Sequence, residues 1–382
     1  MVIQDIVSDI LSILNTLSLR AKVFLLGIIF LCLVVFIGFL FYRWRDRSDK
    51  LISQIKKSDG VSILLHENPD PDCMSSGLAI QQLAEVNDVE SEILYPGKIQ
   101  HSENRAFKAV LDLSLSKITT IDDLSYDTVI LVDHYETRGI ELLEEFVPNA
   151  IIDHHSGRNN IPEDIDYCHI EPDIGACSTL TTEYLFEQDY KFTSAFNTSI
   201  ISAESLATAL LCGIMTDTKN LTKTVTERDY RAAMELYKHA NTKKLYKILN
   251  PKIDEESLQT KANAIQNKTV EGSFAVSNVD TVENPDSIPL AADELAQLEG
   301  VSAVIIYGIS DGKIRLSGRA YADDRVHMGD CLNRLTEELE LGSGGGHSNM
   351  GGAQIPGEEF TEKNMSAKEL EEIMFDILNS RL

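Results

Sequence analysis

The stretch Ala150-Ile151-Ile152-Asp153-His154-His155-Ser156-Gly157 decides how this chain is read. Three apolar residues lead into an acid and two adjacent imidazoles, and Ser156-Gly157 supplies the turn that ends the run. The pattern predicts a buried strand with its polar triplet at the carboxyl end, which is where open α/β sheets bind ligands. Taken alone, it also fits an acid that caps a turn beside two surface histidines. The two readings part on whether other strand ends carry matching ligands.

Two upstream strands end in the same way. Val61 to Leu65 is an apolar run that delivers His66-Glu67-Asn68-Pro69-Asp70-Pro71-Asp72 ahead of a helical stretch from Met74 to Val86. The prolines stiffen that loop, and imidazole with carboxylates suits manganese, magnesium or zinc. Asp127 to Val132 is a further apolar strand and ends in Asp133-His134, where His134 reads as a neighbour of the ligands and not one of them. Downstream, an apolar helix from Glu204 to Met215 delivers Asp217 within Gly213-Ile214-Met215-Thr216-Asp217-Thr218. A short strand over Ser91 to Tyr95 and a helix over Ile140 to Phe146 complete a β/α alternation, which predicts a parallel sheet with helices on its faces. Glu171 to Thr179 leads into a helix from Leu180 to Phe186, and Ser178 and Thr179 at its start either cap it or help its amides receive a phosphate. His101 and His169 have no acid at useful spacing and read as surface or locally hydrogen-bonded residues.

His66, Asp70, Asp72, Asp133, His154 and Asp217 together make a mixed oxygen and nitrogen set large enough for two divalent cations that share one carboxylate. Two ions roughly 3.5 to 4 Å apart can supply a hydroxide for in-line attack on phosphorus and neutralise the charge that develops. The set therefore predicts phosphoryl chemistry.

With 382 residues, 43% of them hydrophobic and 25% charged, the chain is long enough for two or three folded domains. A net charge of -26 disfavours tracking along nucleic acid through a broad basic surface, so duplex nucleic acid is not an expected partner. The six cysteines are scattered without CxxC or zinc-finger spacing, which fits a reducing compartment. Val23 to Tyr42 holds no charged residue and has the length of a membrane-spanning helix. Arg43, Arg45, Arg47, Lys50, Lys56 and Lys57 follow it, against Arg20 and Lys22 before it, so the remainder is expected on the cytoplasmic side of the cell membrane. Ile3, Ile6, Val7, Ile10, Leu14 and Leu17 recur at helical spacing and fit either an interfacial helix or one that pairs with a second copy in a homodimer.

HENPDPD, VDHYETRG, IIDHHSG and GIMTDT, in that order, resemble the four signature motifs of the DHH phosphoesterase superfamily. The resemblance implies one ion held by His66, Asp70 and Asp133 and another by Asp72, Asp133, His154 and Asp217, with Asp133 as the bridge and manganese as the metal. It further implies that His155 contacts the scissile phosphate while Asp153 orients an imidazole. Pro71, between the two acids of the first motif, and His134, after the bridging acid, depart from the usual pattern without removing a ligand. Near the carboxyl end, a strand over Ile314 to Ala320, a helix over Asp330 to Leu339 and the run Gly342-Ser343-Gly344-Gly345-Gly346-His347 are similar to a DHHA1 domain. There Arg319, Gly345, Gly346 and His347 are expected to bind substrate, with His347 and Arg319 on a terminal phosphate. A flexible glycine linker is the alternative for that run.

The expected architecture is α/β: a parallel-sheet DHH domain and a smaller α/β DHHA1 domain, preceded by one transmembrane helix. Its boundaries are an amphipathic segment over 1–22, the span over 23–42, a basic connector over 43–60, the catalytic domain over 61–240, a linker helix over 241–265 and the second domain over 266–382. The expected activity is two-metal hydrolysis of small nucleotides such as cyclic or linear dinucleotides, of the cyclic di-AMP type. A short-oligoribonucleotide exonuclease, a 3'-phosphoadenosine 5'-phosphate phosphatase, a single-strand DNA exonuclease and an inactive nucleotide sensor are the alternatives.

Overall fold

A computed structural model of the chain describes residues 18, 21, 27–32, 34, 47–135, 147–156, 161, 165–196, 200–320 and 326–380. These fall into two compact units that divide after Pro251. Most of the expected span over 23–42, the segment before it and the expected helix over Ile140 to Phe146 lie outside the described residues. Among the described residues, no helix is long and apolar enough to cross a membrane.

The first unit is built on a six-stranded sheet in the order β3-β2-β1-β4-β5-β6, made of β1 (Val61–Leu64), β2 (Ser91–Tyr95), β3 (Ser116–Lys117), β4 (Thr128–Val132), β5 (Ala150–Asp153) and β6 (Tyr167–Ile170). Every pairing is parallel. β1, β4 and β5 are largely apolar and almost wholly buried, as strands in the interior of a parallel sheet are. The strand order reverses between β1 and β4, and at such a switch point the carboxyl ends of the strands leave a crevice.

Helix α1 (Pro71–Glu85) starts beside that crevice, with Asp70 as its N-cap accepting the Cys73 amide and Pro71 in its first turn, where a missing N–H costs nothing. It is buried along nearly its whole length, packed between α3 (Cys177–Glu187) and α4 (Ala203–Asp217); α2 (Ser102–Leu111) lies beyond it. Gly213 of α4 is required for that packing. A Cβ there would stand 2.3 Å from Ser178 Oγ, 2.5 Å from Ser75 Oγ and 3.0 Å from the Cα of Asp72. Gly213→Ala is expected to destabilise the unit by about 1–3 kcal/mol, the usual cost of overpacking, and to displace Asp72. Thermal unfolding and Mn2+ titration of the variant measure the two effects separately.

The helices α5 (Glu227–Tyr237) and α6 (Thr242–Leu249) close the first unit. A single linker helix was expected over 241–265, but Asn250-Pro251 interrupts it, since proline lacks the N–H that a continuing helix needs. The chain restarts as α7 (Glu255–Asn267), capped by Asp254, and α7 packs on α8 (Ser287–Leu295) within the second unit.

That second unit carries a mixed sheet in the order β11-β12-β10-β9-β8-β7: β7 (Thr269–Glu271), β8 (Phe274–Thr281), β9 (Ala303–Ser310), β10 (Lys313–Ala320), β11 (Ser343–Gly346) and β12 (Met350–Pro356). Helices α9 (Met328–Leu339), α10 (Gly357–Glu362) and α11 (Ala367–Asn379) complete it. The glycine run is an ordered strand rather than a linker. A Cβ on Gly344 would meet the Leu332 carbonyl oxygen at 2.3 Å, and one on Gly329 would meet the Gly346 oxygen at 2.2 Å, so these glycines let α9 lie directly on β11.

Candidate metal centre

Three adjacent strands deliver ligands to one place. His66 follows β1, Asp133 follows β4 and His154 follows β5, while the start of α1 adds Asp70 and Asp72 and the end of α4 adds Asp217. His154 Nε2 lies 3.4 Å from Asp133 Oδ1, 3.3 Å from Asp217 Oδ2 and 3.8 Å from Asp72 Oδ2, and His66 Nε2 lies 3.9 Å from Asp133 Oδ2. Of the six expected ligands, the ion-pair distances link His66, Asp72, Asp133, His154 and Asp217; Asp70 sits at the same helix start through its bond to the Cys73 amide. Cys73 adds a thiol to the His66 and Asp133 side of the group, with Sγ bonded to the Val132 carbonyl at 3.3 Å. The sequence reading passed over that thiol because it has no partner cysteine.

The local geometry leaves ligand atoms free and pointing inward. Asp133 adopts a φ of 65°, a left-handed conformation that aspartate tolerates better than most residues. This turns the side chain into the crevice while the backbone N–H stays paired to Ile152 at 2.8 Å. Its Oδ1 is buried without a hydrogen-bond partner, and so is Nε2 of His154. The other ring nitrogen of His154 lies 3.3 Å from the Ile174 carbonyl, so Nδ1 carries the proton and Nε2 presents a lone pair. A buried donor-free carboxylate oxygen facing an imidazole lone pair is unfavourable unless a cation lies between them. The residues therefore fit divalent metal.

Electrostatics point the same way. Burial, reinforced by Asp72 and Asp70, pushes the Asp133 carboxyl well above the ordinary carboxylate range. Burial likewise raises Asp72, and it raises Asp217 to about 7 with Asp72 adding to the effect. Carboxylates crowded in this way repel one another, and cations among them reverse that sign.

Asp72 is fixed more firmly than any other member. Its two oxygens accept the amides of Cys177 and Ser178 at 2.7 and 2.8 Å, so the carboxylate occupies the positive end of α3. This corrects the expectation for Ser178: its hydroxyl is buried against Ser75 at 2.6 Å, and the helix start holds Asp72 in place of a substrate phosphate. Gly175, just upstream, donates its amide to the buried carboxylate of Asp229, which also accepts the Thr179 and Thr226 hydroxyls. Thr226-Glu227-Arg228-Asp229 is a capping-box pattern visible in the sequence, although its reach to Gly175 is not.

The two outer members of the opening triplet form a pair. Asp153 is fully buried, and its Oδ1 accepts from His155 Nδ1 at 2.8 Å and from the amides of His154 and His155. Burial alone would raise the Asp153 carboxyl, yet these bonds hold it below its usual value. The same bond raises His155, whose side chain is 56% exposed. His134 is held by the Val132 carbonyl at 2.9 Å, and burial lowers it to about 4, so it stays neutral beside His66.

In the second unit, β10 pairs Arg319 with Met350, next to the 347–349 turn that carries His347. Arg319 donates to Asp293 at 2.5 Å and to the Ser317 hydroxyl and Gly318 carbonyl at 3.0 Å. The His347 imidazole is exposed, while its backbone is fixed by Met350 at 2.7 Å and Gly329 at 2.9 Å. Gly345 has open space where a Cβ would be, and Gly346 has a φ of 143°.

Comparison with known proteins agrees with this arrangement. Residues 60–214 match the DHH family, N-terminal domain, and residues 271–373 match the DHHA1 domain. An uncharacterised protein of Methanocaldococcus jannaschii is 34% identical over 304 residues, covering 79% of this chain and 59% of that protein. A cyclic-di-AMP phosphodiesterase of Geobacillus thermodenitrificans is 27% identical over 82% of this chain and 47% of its own length. A probable manganese-dependent inorganic pyrophosphatase of Streptococcus equi is 27% identical over 74% of this chain and 86% of its own length. The chain thus spans about half the length of the cyclic-di-AMP phosphodiesterase it matches. The crystal structure of an exopolyphosphatase-related protein from Bacteroides fragilis shares the fold with a TM-score of 0.63 at 17% identity, covering 87% of this chain and 95% of that one. With both domain types matched in order and the motif residues gathered at one set of strand ends, the chain belongs to the DHH/DHHA1 phosphoesterase superfamily.

Proposed function

We propose that this chain is a phosphodiesterase that uses two divalent ions, manganese by preference, to hydrolyse small nucleotides, with cyclic and linear dinucleotides as the substrate class. The observation that carries the proposal is the pair of buried, partnerless ligand atoms, Asp133 Oδ1 and His154 Nε2, facing each other at 3.4 Å. When bound, the ions would supply Lewis-acid charge neutralisation and a nucleophile at neutral pH.

The chain's own residues do the rest. His66, Asp70 and Asp133 hold one ion; Asp72, Asp133, His154 and Asp217 hold the other. His155, oriented through Nδ1 by the buried Asp153, faces the reacting phosphate with its other ring nitrogen as a hydrogen-bond donor. In the second unit, Arg319, His347, Gly346 and the open backbone at Gly345 bind substrate. The apolar run over 23–42 anchors the chain to the cell membrane with these domains in the cytoplasm.

Relatives named as cyclic-di-AMP phosphodiesterases support the dinucleotide class. Inorganic pyrophosphate is the second reading, favoured by the near full-length match to the pyrophosphatase. The full chain with Mn2+ should be offered cyclic di-AMP, its linear product, a pentaribonucleotide and pyrophosphate. Fastest turnover of a dinucleotide is expected. Exclusive cleavage of pyrophosphate would replace the substrate class, and no cleavage at all would leave a nucleotide sensor. In the active assay, His347→Ala is expected to raise KM about 10- to 100-fold with kcat retained, as for loss of one hydrogen bond to a charged group, about 1.5–3 kcal/mol.

A further inference from the structure

The turn from Glu171 to Gly175 touches both anchors of the metal centre. The Ile174 carbonyl fixes the ring of His154, and the two amides that hold Asp72 come directly after the turn, from Cys177 and Ser178. The turn is itself tied down at several points. The Glu171 amide donates to the Asp153 carbonyl at 3.0 Å, Ile174 N–H donates to the Glu171 carbonyl at 3.3 Å, and Gly175 N–H reaches Asp229 at 3.1 Å.

The remaining tie is ionic and comes from two directions. Glu171 Oε2 lies 3.3 Å from Arg47 Nη1 and 3.4 Å from Arg228 Nη1. Arg228 is itself locked by a forked pair of bonds to Glu183 at 2.9 and 2.6 Å, so it is a rigid partner. Arg47 stands on the helical residues 47–55, ahead of β1, and that helix is built into the core through Leu51, Ile52 and Ile55. Arg47 also donates to His169 Nε2 at 3.2 Å, and the Ser48 amide donates to Glu187 at 3.2 Å.

We propose that Glu171 is a positioning residue: clamped between Arg47 and Arg228, it fixes the turn that orients His154 and holds Asp72. The inference rests on reading those two residues as metal ligands. It gives the helix before β1 a direct connection to the metal centre, through one carboxylate and one turn. Glu171 touches no ligand atom itself; because the turn it fixes orients His154 and holds Asp72, its loss is read in metal affinity as well as in fold stability.

The test uses the full chain and measures Mn2+ dissociation constants by calorimetry, alongside thermal unfolding in chelator, for wild type, Glu171→Ala, Glu171→Gln, Arg47→Ala and the Arg47→Ala/Glu171→Ala double variant. Glu171→Ala and Glu171→Gln are expected to weaken Mn2+ binding by about 10–100-fold, as for outer partners of metal ligands. Arg47→Ala should weaken it less. The double variant should bind no worse than Glu171→Ala, because Arg47 acts through that residue. Wild-type affinity in Glu171→Gln, a fall in melting temperature with affinity retained, or additive losses in the double variant would each overturn the proposal. Failure of the wild-type chain to bind Mn2+ would sink the metal-centre reading itself, and this inference with it.

Discussion

Asp133→Asn is expected to remove Mn2+ binding from both halves of the centre and to abolish hydrolysis, while leaving the metal-free chain as stable as wild type or more so. The proposed bridge makes this the most damaging single change. Loss of an outer partner costs about 10–100-fold in metal affinity, and here the shared ligand itself is lost. Asparagine tolerates the φ of 65° at this position, so the backbone stays in place. Alanine is the poorer probe, since the left-handed conformation costs it about 1–2 kcal/mol. The carboxylate that asparagine replaces is buried among Asp72, Asp70, Asp153 and Asp217, so its removal relieves repulsion in the metal-free chain. Calorimetry with Mn2+ and unfolding curves with and without the ion give the three readouts. Unchanged Mn2+ binding would exclude Asp133 as the bridge.

Chelation of the wild-type chain should lower its melting temperature, and added Mn2+ should restore it. A ligand at a hundredfold excess over its Kd stabilises the native state by about 2.7 kcal/mol per site. At about 2–4 °C per kcal/mol for a unit of this size, one site shifts the midpoint by about 5–10 °C. The metal-free chain should also respond to pH in the direction opposite to most carboxylate sites. Asp217 is raised from 3.8 to about 7, so between those values the native state binds a proton that the unfolded chain does not. This group's contribution to stability therefore grows as pH falls through 7 and is lost above it. Saturating Mn2+ should abolish that dependence. A melting temperature indifferent to chelator and to Mn2+ would contradict metal binding at the cluster.

The strand ends were legible in the sequence because each carries the same signature, an apolar run stopped by an acid or imidazole. β1, β4 and β5 fall within a residue or so of their expected limits, and α1 and α4 begin and end within about three. What the sequence did not disclose depends on contacts between distant segments. Ser178 has the composition of a phosphate-binding helix start, yet the space is filled by a carboxylate from α1, 106 positions away. The role of Gly213 appears only once α4 lies against α1, and that of Asp229 only once α5 reaches the turn at Gly175. The division at Pro251 was available from local chemistry, but the strong helical pattern on either side masked it. The glycine run before His347 was legible as special, although its first service is to let α9 approach β11.

The most direct measurement is a Mn2+ titration of the full chain followed by electron paramagnetic resonance. The centre described above predicts two equivalents bound per chain with a spin-coupled signal from neighbouring ions, lost in Asp133→Asn. A single uncoupled equivalent, or a coupled pair that survives in that variant, would contradict it.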